Sequence, residues 1–133
     1  MPLKRKCIFL IKSKDVKKAI YLDSENRNEI LAYLRKDERH KNKFRYISTI
    51  ILEGLKVPKV YDKEDINSRC KDVTAMKFFK GQENDRIYCK ELTTATGTFI
   101  VIAAILYERK KSQRNSAKEI SLIEKVGGYE YEI

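Results

Sequence analysis

An apolar stretch, Phe99–Tyr107, runs into a tract of cations. The tract holds Arg109, Lys110, Lys111, Arg114 and Lys118 and no acidic residue. Clustered side chains of this kind displace counterions from a phosphate backbone. Four more cations, Lys77, Lys80, Arg86 and Lys90, precede it on stretches that read as strands. Groups at strand ends are held by a rigid sheet, which suits positioned chemistry. The bland reading of the tract is a solvated basic loop, since charge runs are common. The whole chain argues against that reading. Its 29 Lys+Arg outnumber 19 Asp+Glu, for a formal net charge of +10. Such a charge repels itself unless an anionic partner is usually near. Nucleic acid is the commonest such partner, an anionic membrane the second and an acidic protein the third.

Other constellations are missing from the sequence. It has no Gly-rich phosphate loop, no His/Cys/carboxylate metal cluster and no Ser-His-Asp pattern. No cofactor and no metal are expected. An enzyme built from this chain works with lysine and arginine. RNA permits that, because its own 2′-hydroxyl can attack the neighbouring phosphate. The protein then needs only to orient the strand, move protons and neutralise the transition state. Tyr107 is a candidate proton carrier, with Tyr129 and Tyr131 behind it. For Tyr88, Tyr107 and Tyr129, base stacking and core packing both stand open; Phe79 reads as core. His40, the only histidine, lies among charges and outside any strand.

These residues need elements to hold them. A chain of 133 residues fits one domain, residues 1–133. Three cysteines without a CxxC suggest reduced thiols. The short apolar run Cys7–Ile11, stopped by Lys12, is no signal peptide, and Phe99–Tyr107 is too short to span a membrane. A cytoplasmic location is expected. Lys6–Ile11 reads as a first strand and Lys14–Tyr21 as a helical turn or loop. Asp23 and Ser24 offer N-caps to a helix from about Glu25 to Asp37. The charged segment Asp37–Lys43 reads as a connection. Phe44, Ile47, Ile51 and Leu55 then form one helical stripe, widened by Ile50 and ended by Gly54 and Pro58. Lys59–Asp72 shows little periodicity.

The period then changes to two. Thr74–Lys80 and Arg86–Thr93 read as strands, with Gly81–Asp85 as the turn between them. Met76 and Phe78 share one face, Lys77 and Phe79 the other. Ile87 and Cys89 oppose Arg86, Tyr88 and Lys90. Phe99–Tyr107 reads as a central strand covered on both faces. Ser116 to Glu119 forms a capping box for a last helix, ended by Gly127–Gly128. Helices gathered before the main sheet make an α+β domain.

The C-terminal half, about Met76 to Val126, resembles the RelE/ParE toxin superfamily, and within it the HigB-like, phage-derived branch. Phe79–Lys80–Gly81 followed by Arg86–Ile87–Tyr88–Cys89–Lys90 is similar to one passage of that family. Phe99–Arg109 is similar to its long central strand. Lys110–Lys111–Ser112–Gln113–Arg114 and then Lys118–Glu119–Ile120 are similar to its basic tract and last helix. The chain departs from the pattern at Asn115–Ser116, where Thr-Pro is usual. The resemblance implies a type II toxin: a metal-independent endoribonuclease that cleaves mRNA on translating ribosomes and is neutralised by a cognate antitoxin protein. It implies a compact, twisted, mainly antiparallel sheet with two N-terminal helices on one face and a C-terminal helix. Lys80, Arg86 and Lys110 would neutralise the scissile phosphate, with Tyr107 as proton carrier. Arg109, Lys111 and Arg114 would hold flanking RNA, with Lys77, Lys90 and Lys118 as further contacts. The rivals are a non-catalytic nucleic-acid-binding module and a domain whose basic groove binds an acidic protein segment.

Overall fold

A computed structural model of the chain describes residues 4–79, 84–108 and 117–133. It is an α+β structure with three helices and one curled, mixed sheet among the described residues. The strands are β1 (Arg5–Lys12), β2 (Lys18–Asp23), β3 (Tyr61–Lys63), β4 (Val73–Phe78), β5 (Asp85–Thr93), β6 (Phe99–Tyr107) and β7 (Tyr131–Glu132). The helices are α1 (Arg27–Leu34), α2 (Glu38–Leu52) and α3 (Ala117–Gly127). A single 3-10 turn spans Ser68–Cys70. No helix of the described residues is long and apolar enough to cross a membrane.

The strand order is β3-β4-β5-β6-β2-β1-β7. β3, β4, β5 and β6 pair antiparallel in succession, as do β1 and β2. β2 runs parallel to β6, and β1 parallel to β7. The sheet is therefore mixed, where the sequence reading expects a mainly antiparallel one. One parallel contact comes from β2, in a stretch whose sequence reads as a helical turn or loop. Its lysine-rich start hides the apolar run Ala19–Leu22, which pairs with β6 from Lys18↔Phe99 to Leu22↔Ala103.

β6 is central and buried over most of its length, as a strand apolar at every position should be. One face of the sheet joins Met76, Phe78, Ile87, Cys89, Val101 and Ala103 to Ile30 and Leu34 of α1 and Ile47, Ile50 and Ile51 of α2. Ile123 and Val126 of α3 join Val73, Ala75, Tyr88 and Ala104 in a second cluster. Strand alternation falls as read for Met76, Phe78, Ile87 and Cys89, which meet in the first cluster. Phe79, expected on the face of Lys77, lies beyond the end of β4 with φ +54° and packs against that same first cluster.

α2 begins earlier than its apolar stripe suggests. Asp37 is its N-cap, and the Asp37 carboxylate accepts from the His40 backbone N–H. The charged segment read as a connection is thus the helix's first turns. Leu55 lies beyond the helix end and is exposed. Gly54 takes φ +68°, the left-handed conformation that closes a helix without a Cβ penalty. The capping box falls partly outside the described residues, which resume at Ala117.

A bulge between Tyr88 and Cys89 shifts the β5–β6 register, so that Tyr88 faces Ile105 and Cys89 faces Ala103. The displaced Ala104 carbonyl accepts from the Asn26 side-chain amide at 2.8 Å, which ties the bulge to the start of α1.

Candidate nucleic-acid interface

Arg86 sits in one cross-strand row with Lys77 of β4 and Tyr107 of β6. Residues directly opposite in an antiparallel pair present their side chains to the same face. The row lies at the sheet end where β4 and β6 run out and β5 begins. Lys118, in the first turn of α3, lies with its Nζ 5.7 Å from the centre of the Tyr107 ring. Four of the residues singled out in the sequence are therefore brought together: Lys77, Arg86, Tyr107 and Lys118.

The environment of Arg86 is not that of a surface cation. The residue is only 4% exposed. Burial pushes its guanidinium below the ordinary arginine range, and the nearby Tyr88, Glu64, Glu119 and Asp85 partly offset this. Nη1 donates to the Asp85 backbone carbonyl at 3.2 Å. Tyr88 is fully buried, and among the described residues its hydroxyl has no hydrogen-bond partner. Burial raises its pKa, and Glu64 and Glu119 raise it further. Glu119, in the first turn of α3, is itself buried. The sheet end thus carries the Arg86 guanidinium, the Tyr88 and Tyr107 phenols and, within electrostatic reach of Arg86, the carboxylates of Glu64 and Glu119. Sequence reading missed Glu64 and took Glu119 for a capping residue only. Nothing in a strand or helix period says that two elements distant in the chain will meet.

Two other cations on these strands point to backbone carbonyls. Lys90 Nζ donates to the carbonyls of Gly127 and Tyr129, both at 2.7 Å, and so caps the C-terminal end of α3 with positive charge. Burial lowers its pKa, an effect that Asp72 and Glu130 partly offset. Lys77 Nζ reaches round the sheet edge to the Pro58 carbonyl at 3.0 Å. Lys77, Arg86 and Lys90 share a face, but α3 covers much of it, so they form no open cationic platform. Lys80, Arg109, Lys110, Lys111 and Arg114 lie outside the described residues. The segments that hold them adjoin Phe79 and Glu108, which directly follow β4 and β6.

The tyrosines expected behind Tyr107 serve other groups. Tyr131 donates to Asp23 at 2.6 Å. Arg5 grips the same carboxylate through Nε at 2.7 Å and Nη2 at 3.0 Å. The Arg5 guanidinium also lies 4.0 Å above the Tyr129 ring. Burial would raise the Asp23 pKa, but Arg5 and Tyr131 outweigh it and hold the carboxyl below the usual carboxylate range. Asp23 also accepts from the backbone N–H groups of Glu25 and Asn26, joining β1, β2, β7 and the start of α1. His40 is buried, with Nδ1 2.6 Å from Asp37 Oδ1 and its ring edge-on to Tyr33 and Phe79. Tyr33 in turn donates to the buried Asp85 at 2.6 Å. This chain of aromatic and acidic groups anchors the α1–α2 junction to the start of β5.

Comparison with protein-family models, with curated proteins and with solved structures yields no match to this chain.

Proposed function

We propose that the protein is a metal-independent endoribonuclease of the type II toxin kind, similar to the RelE/ParE superfamily, acting on mRNA at the ribosome and held in check by an antitoxin protein. The observation that carries this reading is the pairing of Arg86 with Tyr107 across β5 and β6, beside Glu119, Glu64 and Lys118. These are the groups that 2′-hydroxyl attack requires. A carboxylate takes the 2′-OH proton as the 2′-oxygen bonds to phosphorus. Arg86, with Lys80 and Lys110 from the neighbouring segments, neutralises the crowded phosphate. Tyr107 gives its proton to the departing 5′-oxygen. The products are a 2′,3′-cyclic phosphate and a 5′-hydroxyl. Lys118, Arg109, Lys111 and Arg114 hold the flanking strand.

Purified protein, alone in EDTA or with translating ribosomes in magnesium buffer, should cut mRNA and leave cyclic phosphate ends. General acid catalysis contributes roughly 100-fold to 10,000-fold. Tyr107→Phe should lose that order of rate while keeping its fold. Intact transcripts with wild-type protein under both conditions, or undiminished cutting by Tyr107→Phe, would sink the proposal.

The burial of Arg86 favours a second reading, a nucleic-acid-binding module that does not cut. A guanidinium this dry supports the wall of the site rather than meeting phosphate. That reading gives salt-sensitive RNA binding with no fragments.

A further inference from the structure

We infer that a second surface, the cleft formed by Arg39, Lys43, Tyr46, Lys59 and Phe79, binds single-stranded RNA. It lies on the helix side of the same sheet end whose other face carries Arg86 and Tyr107. It needs no strand cleavage and stands apart from the reading above.

The cleft encloses about 680 Å³ and is lined by Arg39, Lys43, Tyr46, Val57, Lys59, Val60 and Phe79. Among the described residues, three of its walls are cationic, two are aromatic and none is acidic. An acidic ligand that also offers flat faces matches that lining, and single-stranded RNA is such a ligand. The aromatic and cationic groups are already paired. The Arg39 guanidinium lies 3.6 Å over the Phe79 ring, and Lys43 Nζ is 5.7 Å from the Tyr46 ring centre. Unpaired bases stack on aromatic rings and on arginine planes, while lysines meet the phosphates between them.

The parts are held in place. Phe79 has φ +54°, a conformation rare for a bulky side chain, and its ring is fixed edge-on against His40 and Phe78. Such strain persists only where the surroundings enforce it, and it concentrates at ligand-holding sites. Tyr46 is different. It stands on α2, one residue before the buried Ile47, and is 47% exposed. A ring left half in water offers a face that a base would cover. Lys77, bound to the Pro58 carbonyl, bridges the edge between this cleft and the Arg86 row. A strand leaving one face thus meets cations at the edge and on the other face.

The probe is a fluorescein-labelled dodecauridylate carrying 2′-O-methyl groups, which cannot be cut by 2′-hydroxyl attack. Binding is therefore read apart from cleavage. Tyr46→Ala should weaken binding about fivefold or more, the loss of one stacked base. Lys43→Ala with Lys59→Ala should lower the slope of log affinity against log salt by about 1.4, two phosphates' worth on a single strand. The charge-matched control Lys14→Ala with Lys17→Ala, in the exposed β1–β2 turn, should leave that slope within about 0.3 of wild type, well short of one phosphate contact. All these positions are exposed or half-buried, so circular dichroism should show wild-type folding. Unchanged affinity in Tyr46→Ala with an unchanged slope in the lysine pair would overturn the inference. So would equal slope losses in the two lysine pairs. Tighter binding of polyglutamate than of the oligonucleotide, lost with the same residues, would overturn it in favour of an acidic protein partner.

Discussion

Lys90 tests whether the face shared with Arg86 is a phosphate platform or a wall. Replacing it with methionine keeps the apolar stem and removes the ammonium. Two charge-assisted hydrogen bonds of 2.7 Å are lost, to Gly127 and to Tyr129. Bonds to charged groups contribute about 1.5–3 kcal/mol each. The ammonium is partly desolvated, and that cost is recovered when it goes. Both carbonyls are on half-buried residues, so water can reach them and soften the loss. A net destabilisation of roughly 2 kcal/mol follows. With a urea slope of about 2 kcal/mol per molar, the unfolding midpoint should fall by about 1 M. α3 also carries Lys118 over Tyr107, so a looser α3 should slow RNA cleavage while the salt slope of RNA binding stays unchanged. Urea unfolding by circular dichroism and salt-dependent anisotropy supply the two readouts. A midpoint unmoved within about 0.2 M, together with a slope lowered by about 0.7, would refute the capping account. It would put Lys90 on a phosphate.

Tyr131→Phe removes one of the bonds that hold Asp23 ionised, and should cost about 1.5–3 kcal/mol at neutral pH. The Asp23 pKa is depressed in the fold, so its stabilisation is present above the ordinary carboxylate value and fades as pH falls through the lowered one. With less depression and less stability, the variant's acid-unfolding midpoint should move to higher pH; coincident acid transitions would contradict this. At Gly127 an added Cβ would lie 2.8 Å from the Arg69 carbonyl and 3.2 Å from Cys70 Sγ, whereas at Gly128 it meets only ordinary contacts at 3.6 Å. Gly127→Ala should therefore cost roughly 1–3 kcal/mol by overpacking. Equal urea midpoints for Gly127→Ala and Gly128→Ala would show that the 3-10 turn yields freely.

Periodicity carried the middle of the sheet. β6 is apolar throughout and lies in the centre; β5 alternates, and its two faces separate as the alternation demands. Local chemistry could not reveal which covering each face receives. Arg86 and Lys90 are cations on a strand, a pattern that ordinarily marks a solvated face, yet α3 lies over them. β3 and β7, at three and two residues, are too short for any period to register. β2 failed differently: lysines at its start resemble a turn, and its partner β6 is distant in sequence. In α2 the charged run Asp37–Lys43 reads as a connection, and the Asp37 cap that starts the helix shows only in the structure. The candidate site divides along the same line. Arg86 and Tyr107 were named from their own strands, whereas Glu64 and Glu119 enter only through packing between separate elements.

The parallel contact of β2 with β6 has a consequence for synthesis. Lys18 pairs with Phe99 and Leu22 with Ala103. During translation, β1 and β2 leave the ribosome long before their partner exists. The backbone edge of β2 must wait unpaired until β6 emerges, while its apolar side, with Ile20 and Leu22, is covered sooner by α1 and α2. Pairings between distant segments form slowly, and unsatisfied strand edges meanwhile invite association with other chains. Lysines at Lys12, Lys14, Lys17 and Lys18 flank the waiting segment. Their mutual repulsion guards the nascent hairpin against self-association until the sheet can close.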